Sequence, residues 1–338
     1  MKKIFILLTM VLFLSSLLLA AGQQEGDVYA GRNINVAVHS SAGGGSDTWA
    51  RKVSALMEKE LGVKFIVNNM SGANGTTAAN SVWNAPHDGY TLIGASESSM
   101  TYAVSGGFDD GARAWHYFWS GGSPGVIVVS KNSAYKDLKS FADAARSNSG
   151  QMSIAISGIG KLWHLKAEMV DRYANVPMKD IPYSGSAPAI TALLSGEVDA
   201  LSCSTGEAAP YIQSGDMIPL VITEDYNYSF EGYPTVVPAI TDLYPEVQKY
   251  LPMSQGLCLL APKDIPEDAY KSLGAAFDKV MDSSEMLGFM QQENAVKIVM
   301  WGPEADKRAV EMEARFSWFA QDLGVAQVSP EKFGIARP

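Results

Sequence analysis

Short alternating apolar runs, each followed by a small-residue turn and a helical repeat, set the pattern of the chain. Ile34, Val36 and Val38 alternate with polar or small residues, which predicts a strand. The turn Ser40-Ser41-Ala42-Gly43-Gly44-Gly45-Ser46-Asp47 comes next, and Ala50, Val53, Met57 and Leu61 then recur at helical spacing. The unit recurs at Met152 to Ile156, a strand, followed by Ser157-Gly158-Ile159-Gly160 and a helical face of Leu162, Leu165 and Met169. A third case lacks a clear strand: Tyr183-Ser184-Gly185-Ser186 leads into Ile190, Leu193 and Leu194. Ser186 is placed to cap that helix, Pro188 fits its first turn, and Gly196 closes it before Val198 to Leu201 begin another strand. Strands alternating with helices predict an α/β fold with mostly parallel sheets.

The chain has 338 residues, which at about 150 per domain predicts two domains. Gly121-Gly122-Ser123-Pro124-Gly125 breaks the pattern before a strand at Val126 to Val129, and Thr223 to Pro238 is rich in Tyr, Pro and acids. Crossings at these two segments place residues 31–125 and 224–338 in one domain and residues 126–223 in the other. No internal repeat of 20–50 residues is visible.

The start of the chain has a different character. Lys2 and Lys3 precede an apolar run from Ile4 to Ala21, and Gly22 turns the chain polar, as a signal peptide over residues 1–22 would. The alternative is an uncleaved anchor helix, since the run approaches the roughly 17–20 residues needed to span a bilayer. Export to the periplasm or another extracytoplasmic space is the expectation. The net charge is −10, and loss of Lys2 and Lys3 makes it −12. So acidic a chain is a poor match for phosphate backbones or anionic membranes, which excludes nucleic acid as a partner. Cys203 and Cys258 both sit in apolar stretches and read as small buried hydrophobes, although export permits a disulfide.

Catalytic templates fail residue by residue. Gly121 to Gly125 matches the nucleophile elbow, but Pro124 follows the serine and has no N–H for an oxyanion hole. Thr48 stands where a dinucleotide fingerprint needs glycine, and no Cys or His pair has zinc spacing. Neither a metal nor a cofactor is expected. His39 and His164 are candidate acid–base groups but read first as hydrogen-bonded structural histidines. Asp47 is a candidate general base but reads first as a residue that caps its helix or ties down the glycine loop. What remains is main-chain chemistry. A glycine-serine loop opening a helix exposes unpaired N–H groups, and the helix dipole adds roughly half a positive charge there. Three such loops occur, and only one carries a cation, Lys161.

Three stretches also resemble the extracytoplasmic receptors of tripartite tricarboxylate transporters, the Bug family. They are Gly43 to Arg51, Val67 to Thr76 continuing through Ala85 to Leu92, and Tyr183 to Asp199; Gly158, Gly160, His164 and Leu165 make a weaker match. The resemblance implies a two-lobed Venus-flytrap fold (type II-like) with the ligand in a cleft between the lobes. It implies a non-enzymatic receptor for a small mono- or dicarboxylate, or an amino acid, delivered to a membrane permease of large and small subunits. The residues carried over are Ser41, Ala42, Gly43, Gly44, Gly45, Ser46 and Asp47; Ser157, Gly158, Gly160 and His164; and Tyr183, Ser184, Gly185 and Ser186; Ser96 and Ser204 are additions. The family usually has Pro at His39, glycine at Asn74, an aromatic near Gln255 and a small or polar residue at Glu97. An acid there would repel a dicarboxylate or receive an amino group. Lys161 reads as a solvated lysine at a helix start, with pairing to a ligand carboxylate as the alternative. The rival function is a secreted α/β hydrolase or lyase using Asp47 with His39 or His164. A sensor subunit reporting to a signalling partner is a third reading.

Overall fold

The computed structural model of the chain describes residues 28–29, 31–148 and 151–338. The expected signal peptide, residues 1–22, lies outside the described residues. Among the described residues, eleven strands build two sheets. In chain order the strands are β1 (Ile34–Val38), β2 (Phe65–Asn69), β3 (Thr91–Ser96), β4 (Trp115–Gly122), β5 (Gly125–Ser130), β6 (Ser153–Ile156), β7 (Lys179–Pro182), β8 (Ala200–Ser204), β9 (Met217–Ile222), β10 (Leu257–Pro262) and β11 (Val296–Met300). The helices are α1 (Gly45–Leu61), α2 (Thr76–Trp83), α3 (Leu138–Ser147), α4 (Leu162–Ala174), α5 (Ser186–Ser195), α6 (Thr205–Gln213), a single turn α7 (Ile240–Leu243), α8 (Glu267–Asp282), α9 (Ser284–Gln292) and α10 (Pro303–Leu323).

The first sheet has the order β11-β4-β10-β3-β1-β2 and the second β7-β6-β8-β5-β9. Both are mixed, which corrects the expectation of mostly parallel sheets. β1 pairs in parallel with β2 and β3, and β6 with β7 and β8. β10 runs antiparallel to β3 and β4, and β5 antiparallel to β8 and β9. The strands next to the crossings account for the difference. β4 and β5 are joined by only Ser123 and Pro124, and β10 brings the chain back to the first sheet. Strand direction there follows the path of the linker, which periodicity does not record.

The alternation along β5 shows why these residues make a strand. Ile127 and Val129 join a core that also holds Ile93, Tyr117 and Trp119 of the first sheet. Val126 and Val128 face the other way, into a core with Leu193 of α5 and Ile212 of α6. A strand buried on both faces reads as an unbroken apolar run, and each such side chain contributes about 1.5–3 kcal/mol. A third core, holding Val36, Val53, Phe118 and Phe277, packs α1 and α8 on the first sheet.

Three local expectations need correction. Gly121 and Gly122 lie inside β4, so the break is only Ser123-Pro124. Glycine is required at 122 because a Cβ there would come 2.1 Å from the Gln255 carbonyl oxygen. The third loop does follow a strand, β7, whose Lys-Asp-Ile-Pro edge sequence has no apolar alternation. Ser186 is the first residue of α5, not its cap; Gly185 holds the cap position and no side chain accepts from the helix end. Gly196 closes α5 in the left-handed conformation, as expected. Cys203 and Cys258 are buried, unpaired, and in different sheets.

Candidate functional site

β1, β6 and β7 each deliver the chain from a parallel strand into a small-residue loop and then a helix, so the three loops emerge at carboxyl ends of strands. They meet at one narrow polar cavity of about 40 Å3 between the two sheets. His39, Ser40, Gly44, Gly45, Ser46, Ser96, Glu97, Ser98 and Gln255 line it from the side of the first sheet. Ser157, Lys161, Trp163, Gly185, Ser186 and Glu207 line it from the second. The cap positions of α1, α4 and α5 are Gly44, Lys161 and Gly185, all on the lining, and none carries a side-chain cap. Three helix N-termini with their partial positive charge therefore open on the same space.

The two sides already touch across this space. The Gly45 N–H donates to Glu207 Oε1 at 3.1 Å, and the Thr101 hydroxyl donates to the Gly160 carbonyl at 3.1 Å. A Cβ on Gly44 would lie 4.0 Å from the Ser186 nitrogen. The Ser40 and Ser41 hydroxyls are buried with no partner among the described residues.

Charge in the cavity is mixed. Glu97 follows β3 and is 2% exposed. Its Oε2 accepts from the Gly256 N–H at 2.9 Å, and Oε1 accepts from the Ser96 and Ser98 hydroxyls at 3.3 Å. Burial outweighs these bonds and pushes its carboxyl up to about 7. Lys161 is 9% exposed, which corrects the reading of a solvated lysine. Burial lowers its pKa, and Glu97 opposes that shift. No hydrogen bond or ion pair is made by its ammonium among the described residues. Glu207 is satisfied differently: Oε2 accepts from the Ser204 hydroxyl at 2.8 Å, and the Ser204 oxygen accepts from the Glu207 N–H at 3.1 Å. This is a capping box on α6.

Of the residues singled out from sequence, Gly44, Gly45, Ser46, Ser96, Ser157, Gly185 and Ser186 line the cavity. Ser41, Ala42, Gly43, Asp47, Gly158, Gly160, His164, Tyr183, Ser184 and Ser204 lie off the lining and support the loops or face outward. Asp47 accepts from the Gly43 N–H at 2.9 Å, from Arg51 Nε at 2.8 Å and from Asn69 Nδ2 at 2.8 Å, so it ties down the glycine loop. His164 Nδ1 accepts from the Gly160 N–H at 2.9 Å, and its Nε2 lies 3.2 Å from Asp180. The Tyr183 hydroxyl donates to Glu197, and Ser184 is exposed. His39 is held by the Tyr102 hydroxyl at 2.7 Å and the Ser46 hydroxyl at 3.1 Å; burial, then Lys161, lowers its pKa strongly.

Ser98 and Glu207 lie outside every stretch singled out from the sequence; Ser40 and Trp163 lie in two of the loops but are not named as site residues. Glu207 had a signal, a Ser-x-x-Glu spacing from Ser204; Ser98 and Trp163 had none. Glu97 and Gln255 stand out in the sequence only as departures from the family pattern and Lys161 as a lone cation, while His39 is both a departure and a candidate acid–base group. His164, Glu168 and Asp180 bring one ligand atom each within 4.8 Å of one another. A backbone N–H donates into His164 Nδ1, so the neutral ring carries its proton on Nε2 and offers no lone pair toward the two acids.

Two lobes with a donor-rich cleft between them define a solute-binding protein of the periplasmic type. Residues 49–315 match the family model described as tripartite tricarboxylate transporter family receptor, and the chain belongs to that family. A UPF0065 protein of Bordetella bronchiseptica is 30% identical over 250 residues, 70% of this chain and 71% of that protein. MatC from Rhodopseudomonas palustris, solved with bound malate, is 26% identical with a TM-score of 0.75, covering 87% of this chain and 99% of that one. Another R. palustris protein, solved with adipate, has the same fold at a TM-score of 0.79, with 22% identity over 88% of this chain and 99% of that one. No helix among the described residues is long and apolar enough to cross a membrane.

Proposed function

We propose that this chain is a non-enzymatic extracytoplasmic receptor that captures a small organic carboxylate and presents it to a two-subunit membrane permease. The observation that carries the reading is the convergence of three helix N-termini whose own cap residues supply no side-chain acceptor, with an unpartnered buried ammonium, on one cavity between the lobes. Main-chain N–H groups and the helix ends supply the positive potential, and closure of the lobes removes water from the bound carboxylate. The malate in the related MatC makes malate the first probe. The lobes are assigned to residues 31–125 with 224–338 and to residues 126–223, with Ser123-Pro124 as the first crossing; Phe230 and Val237 still pack with the second sheet, so the return to the first lobe comes between them and β10.

Titration calorimetry against a panel of mono- and dicarboxylates tests the reading, with thermal stabilisation as the second readout. Gly44→Val adds bulk at a residue with ordinary extended backbone (φ −80°), facing Ser186. Ser186→Pro deletes one N–H at a helix start that tolerates proline. Both variants are expected to keep the wild-type circular dichroism and lose binding at least tenfold. Wild-type affinity in both would remove the loops from the site. Chemical alteration of a bound ligand during incubation would replace the receptor with an enzyme.

A further inference from the structure

The cavity holds an ammonium and a carboxylate on opposite lobes, and neither neutralises the other by contact. Glu97 stands on the first lobe, immediately after β3, and lines the cavity. Lys161 stands on the second, at the start of α4. No ion pair within 4.0 Å joins them, although their charges interact. A nine-tenths-buried ammonium with no partner is a costly arrangement in an empty site, and a guest carboxylate relieves it. The acid makes the opposite demand. Gly256, Ser96 and Ser98 donate to it, yet these bonds do not hold it fully ionised against burial. A cation placed beside it would.

Resting on the receptor reading above, we propose that the site selects a guest carrying both a carboxylate and an ammonium, an α-amino acid, over the same acid without its amino group. The guest carboxylate faces Lys161 and the ends of α4 and α5, and the ammonium faces Glu97. A plain dicarboxylate satisfies Lys161 and then sets its second charge toward Glu97, where like charges repel. Glu207 is the other acid on the lining, and its oxygens accept from Gly45 and Ser204; a selectivity ratio that falls in Glu207→Gln and not in Glu97→Gln would place the ammonium there instead.

The test measures matched pairs by calorimetry: aspartate and succinate, glutamate and glutarate, alanine and propionate, with malate as the hydroxyl member of the first series. In the wild type the tightest binder is an amino member, at least tenfold tighter than its desamino partner. Glu97→Gln brings that ratio close to one, while Lys161→Met weakens both members of the pair alike. A desamino acid as the tightest binder, or a ratio unchanged in Glu97→Gln and Glu207→Gln alike, overturns the selectivity and leaves the carboxylate receptor standing. Failure of every pair to bind overturns the receptor reading and the selectivity together. Should Glu97→Gln fail to fold, the wild-type ratios alone decide.

Discussion

Glu313 on α10 is a buried carboxyl outside the cleft, 4% exposed, whose Oε1 accepts from the Ala112 N–H at 2.7 Å. Burial pushes it from 4.5 to about 7. Between those two values the folded chain keeps a proton that the unfolded chain has lost, so stability falls as pH rises through the window. Glu97 carries the same sign. At about 1.4 kcal/mol per pKa unit, the loss is on the order of 3 kcal/mol for each group by pH 8. Glu313→Gln keeps an acceptor for Ala112 and removes one titration. Urea unfolding between pH 5 and 8 is therefore expected to show a shallower fall in the variant. An unaltered slope would mean that Glu313 ionises normally in the folded chain. The sequence held little of this: Glu313 sits on an amphipathic helix among other acids, and nothing local marks it as the buried one.

At the scale of elements, the helices that open on the cavity lack side-chain caps, as do α2, α7, α8 and α10 elsewhere; position at the cavity, not the missing cap, marks the binding ends. α3, α6 and α9 are capped by the side chains of Asp137, Ser204 and Ser283. α1, α4 and α5 end in the cleft without such caps. The glycine-serine composition of their loops made all three legible in advance. The capping role of Ser204 was equally legible in its spacing to Glu207, but a serine at a strand end suits binding and capping alike, and only the contacts separate the two. Closure is a second property of these loops. Gly185 has extended backbone (φ 166°, ψ 180°) that any residue can adopt, but a Cβ there would come 2.3 Å from the Ser41 hydroxyl on the other lobe. Gly185→Ala is expected to leave the ligand-free melting temperature unchanged and to weaken ligand binding at least tenfold, read by calorimetry. Solution scattering with ligand would show the variant staying open. Wild-type affinity would mean that the lobes bind without coming this close.

Across the whole molecule, a buried ion pair joins the ends of β5 and β9 to α4, beside the first crossing between the sheets. Lys166 of α4 reaches Glu224 Oε1 at 3.0 Å and also donates to the Thr223 carbonyl. The Glu224 oxygen accepts in turn from the Gly125 N–H at 3.2 Å. The start of β5 and the end of β9 are thereby tied to α4, the same helix that presents Lys161 to the cavity. Lys166→Met leaves the Glu224 carboxylate buried and uncompensated, which costs about 3–5 kcal/mol. The double variant with Glu224→Gln is expected to recover part of that loss. Denaturant unfolding of the two variants checks both statements; a loss below about 1 kcal/mol for Lys166→Met would show that the pair contributes little to the hinge.

The sequence alone determined the repeated strand, loop and helix units and the three loops rich in main-chain donors. Those features are local: they depend on periodicity and on glycine, serine and proline chemistry within a few residues. Only the tertiary structure decided which strands run antiparallel, that Lys161 is buried rather than solvated, and that Glu97, Glu207 and Gln255 meet it at one cavity. These residues are separated by tens of positions along the chain, and their neighbours come from both lobes. Burial and pairing of a charge depend on what the rest of the chain places beside it, and no window of sequence contains that.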